Sequence, residues 1–169
     1  MIPFAIDGAL ITARFTTNER DVLSNLCEQL IDMLAERHAD APADVLYAQL
    51  GIGGQGSLPS DPALARLLPD AYRDDEDAAS DHRRFTERSL VERKLANARA
   101  VVASLDSNAV SLDAAAVQSW LRTLTDLRLV IAARLQIEED GDTGLGDEDT
   151  LMLYEWLGYL QGTLVELLE

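Results

Sequence analysis

The chain has 169 residues, with 30 acids against 14 bases and a formal net charge of −16. That length suits one domain, 1–169, with a continuous core. So negative a field repels phosphate backbones and anionic headgroups, which excludes direct nucleic-acid or membrane-surface binding unless a local basic patch overrides it, and favours protein partners with basic surfaces.

No apolar run reaches bilayer-crossing length. The opening Met1-Ile2-Pro3-Phe4 lacks the basic and apolar regions of a signal peptide, so the expectation is a cytoplasmic protein. Cys27 is the single cysteine, which excludes an intrachain disulfide and a cysteine-based zinc site.

In chain order, residues 2–15 contain Asp7-Gly8, a turn signal that predicts a β-hairpin arm over 1–16 packed on helices. Thr16 and Glu19 have the spacing of a capping box. Val22, Leu23, Leu26, Cys27, Leu30, Ile31 and Leu34 then recur at helical steps, predicting a helix over about 18–37. Residues 38–73 are broken. Asp44 can cap a short helix to Leu50, Gly51–Gly56 reads as a flexible loop, and Asp61-Pro62 opens a short helix over 62–68.

Residues 74–105 are helical, with a stripe of Val91, Leu95, Ala98, Val102 and Leu105. Extended backwards, that stripe centres on Arg84. Either the helix breaks near Thr86, or Arg84 is buried with a carboxylate. Ser111 or Asp113 starts the next helix, to about 136, with Val117, Trp120, Leu121, Leu124, Leu127, Ile131 and Leu135 on one face. Residues 138–149 form an acidic loop. A last helix over about 149–168 lines up Leu153, Trp156, Leu157, Leu160, Leu164, Leu167 and Leu168. The fold class is mainly α: a bundle of about four long helices plus short ones, with a small N-terminal hairpin.

The candidate motifs mostly read as structure. The Gly51–Gly56 run lacks the preceding strand and following helix of a phosphate loop. The acidic loop fails the EF-hand spacing in both registers: from Asp140, positions six and twelve are Leu145 and Leu151, and from Glu138 they are Thr143 and Asp149. Asp77, Asp81 and His82 share a segment, but neither His82 nor His38 belongs to a helical metal-binding pair, so a surface ion-pair cluster is expected. No catalytic, metal or cofactor site is assigned. Cys27 sits in an apolar stripe beside Glu28, which favours an inert buried thiol over a redox one.

Arg83, Arg84, Arg88, Arg93, Lys94 and Arg99 gather six of the fourteen bases in one stretch. They read either as a docking patch for an acidic partner segment or as structural pairs for internal acids such as Asp81, Glu87 and Glu92. Arg128 falls inside the stripe of its helix, which predicts a buried ion pair with Glu92, Asp77 or Glu155. Tyr154, Tyr159 and Val165 flank the last stripe and could cover a homodimer face.

Four segments together carry a resemblance. They are Asp61-Pro62-Ala63-Leu64-Ala65-Arg66-Leu67-Leu68-Pro69-Asp70-Ala71-Tyr72, then Arg84-Phe85-Thr86 with Lys94-Leu95-Ala96-Asn97, then Trp120 through Leu129, and Tyr154-Glu155-Trp156-Leu157-Gly158-Tyr159-Leu160-Gln161. In this combination the chain resembles the actinobacterial AosR-type oxidative-stress regulators, a largely uncharacterised family, over nearly its whole length. The resemblance implies an intracellular regulator acting on transcription through a sigma factor or RNA polymerase. It also implies sensing by a cysteine pair, which a chain with Cys27 alone cannot form. The expected function is thus a non-enzymatic regulator acting by protein contact. An adaptor or scaffold in protein turnover, or a hydrolase built on Asp77, Asp81 and His82, are the alternatives.

Overall fold

The computed structural model describes residues 1–39, 56–72, 74–139, 142 and 144–169. The elements are β1 (Ile2–Asp7), β2 (Leu10–Arg14), α1 (Thr17–Ala39), α2 (Pro62–Leu67), α3 (Glu76–Ser104), β3 (Ala109–Leu112), α4 (Ala114–Arg134) and α5 (Glu148–Glu166). The mainly α class and the N-terminal hairpin are as the sequence predicts. The helix expected over Asp44–Leu50 and most of the Gly51–Gly56 run lie outside the described residues.

The hairpin turn differs by one residue from its signal. Asp7 pairs with Leu10, so the central residues are Gly8 and Ala9, and Gly8 alone has positive φ, at 63°. One positive φ at the first central position is the pattern of a II′ turn, which glycine meets without a Cβ clash. A third strand also joins. β3 pairs antiparallel with β2, aligning Ile11 with Leu112 and Ala13 with Val110. Val110 and Leu112 are buried while Ala109 and Ser111 are exposed, the two-residue period of a half-buried strand. Asp113 then caps α4 by accepting from the Ala116 amide at 2.8 Å.

The hairpin is no free arm. Phe4 and Phe15 are buried, and both meet Trp120 of α4: Phe4 edge-on at 5.5 Å between centroids, Phe15 stacked at 5.9 Å. The buried indole donates its N–H to Ser104 Oγ at 2.9 Å, which satisfies its polar atom. Sheet and helices therefore share one core, to which every described strand and helix contributes side chains.

The capping box forms as predicted, with Glu19 accepting from the Thr16 amide at 2.7 Å and Thr16 Oγ1 accepting from the Glu19 amide at 3.3 Å. Asp61, Asp75 and Asp147 cap α2, α3 and α5 in turn. α1 packs chiefly on α3, while α4 contacts α2, α3 and α5. That central place explains why α4 buries Thr123 and Asp126 along with its apolar stripe.

α4 ends in a Schellman turn. The Ile137 amide donates to Ala132 O at 2.9 Å and the Gln136 amide to Ala133 O at 3.3 Å. Gln136 sits there at φ 56°, a conformation that a residue with a Cβ resists. Replacing Gln136 with Gly should stabilise the protein by about 1 kcal/mol, read as a higher midpoint in urea at unchanged slope.

Candidate functional site

α3 places the predicted basic island, and the helix does not break at Thr86. Ala79, Arg83, Glu87, Val91 and Leu95 lie four residues apart, and all are buried. Each such step turns the face by about 40°, so the buried stripe winds around α3. That winding explains the correction at Arg84: the stripe reaches Arg83, and Arg84 is exposed.

Arg83 belongs to a buried network. Glu87 Oε2 accepts from Arg83 Nη1 at 2.8 Å and from Arg37 Nη2 at 3.1 Å, and Glu87 Oε1 accepts from Arg37 Nε at 2.7 Å. Arg83 also donates to Leu68 O at 3.0 Å and to Asp70, and Arg37 donates to Ser57 O at 2.7 Å. Burial by itself would lower the Arg83 pKa, but the hydrogen bonds and charges of Glu87 and Asp70 outweigh it and raise the pKa. Arg83 is thus a structural cation and leaves the surface patch. Removing the shared carboxylate by Glu87→Ala would strand two buried guanidinium groups. The expected cost is about 3–5 kcal/mol in urea unfolding.

The remaining cations divide. Arg88 pairs with Glu92 on its own helix at 3.2 Å, and Arg84 and Arg99 are exposed. Arg93 and Lys94 turn toward α4. There they line an open groove of about 370 Å³ with Leu90, Asn97, Arg122, Thr125 and Asp126. In the groove Lys94 Nζ donates to the buried Asp126 Oδ1 at 2.5 Å. Burial raises the Asp126 pKa, with Lys94 opposing the shift. Arg93 and Arg122 are exposed and hold no ion pair or hydrogen-bond partner among the described residues. With Asp126 matched by Lys94, these two arginines leave the groove positive on an acidic molecule. Arg122 escaped sequence reasoning because it lies on another helix, well outside the basic stretch.

Among the described residues, the carboxylate pair expected at Arg128 is not formed. Arg128 is half-buried and donates to Gln161 Oε1 at 2.8 Å and Tyr154 OH at 3.2 Å, with its guanidinium 4.8 Å from the Tyr154 ring centre. Cation–π stacking and neutral acceptors replace the carboxylate. Gln161 in turn donates to Thr125 Oγ1 at 2.7 Å, so this cluster ties α5 to the groove wall.

His82 approaches Thr86 Oγ1 at 3.3 Å and stands edge-on to Tyr72 at 5.9 Å, and no hydrogen bond joins it to Asp77 or Asp81. Among the described residues, no three His, Cys, Asp or Glu side chains converge as metal ligands. In the acidic loop, Asp142 Oδ2 accepts from the Glu138 and Glu139 amides at 2.9 and 3.0 Å, and those bonds lower its pKa. No helix among the described residues is long and apolar enough to cross a membrane.

Cys27 is fully buried in α1. Burial, helped by the charge of Glu28, pushes its thiol pKa up to about 12. The nucleophilic thiolate is then scarce at neutral pH. The folded chain should react with a disulfide thiol reagent only as fast as it opens, with full reaction in denaturant. Rapid labelling of the native protein would contradict this.

A mainly α domain with a three-stranded sheet and a cationic groove on an acidic surface is the class defined so far. The chain belongs to the family described as a domain of unknown function (DUF2017), whose pattern matches residues 1–168. It is 32% identical to the oxidative stress regulator AosR of Mycobacterium tuberculosis and of Mycobacterium bovis, covering 94% of this chain and 82% of each relative. A putative oxidative stress regulator AosR of Mycobacterium leprae is also 32% identical, over 88% of this chain and 77% of that protein. No solved structure matches the chain.

Proposed function

We propose that this chain is a non-enzymatic, intracellular regulatory protein that works by binding a protein partner through an acidic segment of that partner seated in the α3–α4 groove. The observation that carries the reading is the pair of uncommitted arginines, Arg93 and Arg122, flanking a Lys94–Asp126 bridge on a chain of net charge −16. The field of the chain as a whole opposes an acidic segment. In the groove its carboxylates meet two guanidinium groups able to bind them bidentately. Leu90 adds apolar surface beside them.

The relatives' names supply the setting of oxidative-stress regulation, and the family resemblance points to a sigma factor or RNA polymerase as the partner. A protein with so negative a field would act on transcription through another protein rather than by gripping DNA. The signal does not enter through an intrachain disulfide, since Cys27 is alone.

Affinity capture from native lysate, at low and high salt, tests the reading. A sigma factor or polymerase subunit should be recovered at low salt and lost at high salt. Joint reversal of Arg93 and Arg122 to Glu should weaken capture by about tenfold or more while leaving the thermal midpoint nearly unchanged. Undiminished capture by that variant would remove the groove from the contact. Recovery of a protease subunit in place of transcription proteins would support a role in protein turnover.

A further inference from the structure

A second surface has the opposite character. α1 packs chiefly on α3, and α5 on α4. Near their N-termini α1 and α5 leave a groove of about 350 Å³ lined by Asn18, Glu19, Val22, Asp149, Met152, Leu153 and Trp156. Leu153 and Trp156 are half-buried in it. Val22 is 39% exposed and Met152 53%, although each sits beside a buried helical stripe. Methionine adapts its shape to an incoming surface at low cost.

The two charged side chains that line this groove, Glu19 and Asp149, are both acids. α5 opens with Glu148 and Asp149, carries Glu155 beyond Met152, and has no basic residue. On α1, Arg20 is bound to Asp21 at 2.7 Å, and Glu28 is exposed. Glu19 is held by the Thr16 cap and by the Met1 ammonium at 3.5 Å. A second copy of the chain would bring another −16 charge against this rim, so self-association across it is opposed. An apolar helix face edged with Lys or Arg would bury Val22, Met152 and Trp156 and meet the carboxylates with opposite charge.

We propose that the α1–α5 groove docks a basic amphipathic helix of a protein partner. This surface is separate from the α3–α4 groove and prefers the opposite charge, so one chain can hold an acidic and a basic element at once.

The probe is a synthetic amphipathic peptide of Leu and Lys, about as long as α5 (19 residues), titrated into the intact protein. Trp156 emission should shift to the blue and saturate, and Trp156→Phe should abolish that signal while Trp120 stays buried. Met152→Glu separates a docking site from general attraction, because the two predict opposite signs. General attraction to a more negative protein tightens binding, whereas loss of the apolar floor weakens it, by about tenfold. Val22→Glu should act the same way, and circular dichroism should show that both exposed-site variants stay folded. Reversal of Arg93 and Arg122 should not weaken peptide binding, which keeps this result distinct from the one that tests the first groove. A Leu and Glu peptide should leave Trp156 emission unshifted, whatever it does at the α3–α4 groove. Equal or tighter binding by Met152→Glu and Val22→Glu, or an absent emission shift, would overturn the proposal. So would light scattering that shows a dimer dissociated by Met152→Glu, which would assign the face to a second copy.

Discussion

Glu87 lies where two buried arginines from distant parts of the chain converge. Arg37 closes α1, Arg83 belongs to the first half of α3, and both depend on one carboxylate. Buried charges are tolerated only when paired and hydrogen-bonded, so this arrangement permits one axial register between α1 and α3. The same guanidinium groups bind Ser57 O, Leu68 O and Asp70, and so hold the chain on either side of α2. Replacing the trio with apolar residues could leave the fold equally stable. The charges contribute specificity of register more than net free energy.

That register sets the outer face of α3. Once the stripe through Ala79, Arg83, Glu87, Val91 and Leu95 turns inward, Lys94 comes to rest against Asp126 of α4 and Arg93 stands at the groove edge. The basic island of the sequence therefore splits by depth. Arg83 joins the core, Arg88 pairs with Glu92 on its own helix, and Arg93 stays open with Arg122. A contiguous run of charge on a helix seldom forms one surface, because successive residues point about 100° apart.

The two proposed surfaces suit regulation by assembly. A cationic groove and an acid-edged apolar groove select partner segments of opposite charge, and each rejects the segment suited to the other. The buried thiol of Cys27 takes no part in either surface.

The sequence by itself determined the four long helices, the short helix after Asp61 and the hairpin. Capping residues and apolar periods are local, and Asp61, Asp113 and the Thr16–Glu19 capping box cap their helices as the sequence predicts, while Asp75 and Asp147 cap α3 and α5 without having been singled out. It also determined that Cys27 is buried and that Arg83 to Arg99 is a basic stretch. Tertiary structure decided the rest. β3 is only four residues long and has meaning only beside β2. Arg83 rather than Arg84 is buried because steps of four residues drift around the helix, which a straight stripe drawn from Val91 to Leu105 ignores. Arg128 found a glutamine and a tyrosine ring in place of a carboxylate, since its neighbours come from α5, 26 to 33 positions away. Arg122 became part of a groove only when α4 packed on α3. Local spacing states what a residue can do, and packing between distant segments decides which partner it meets.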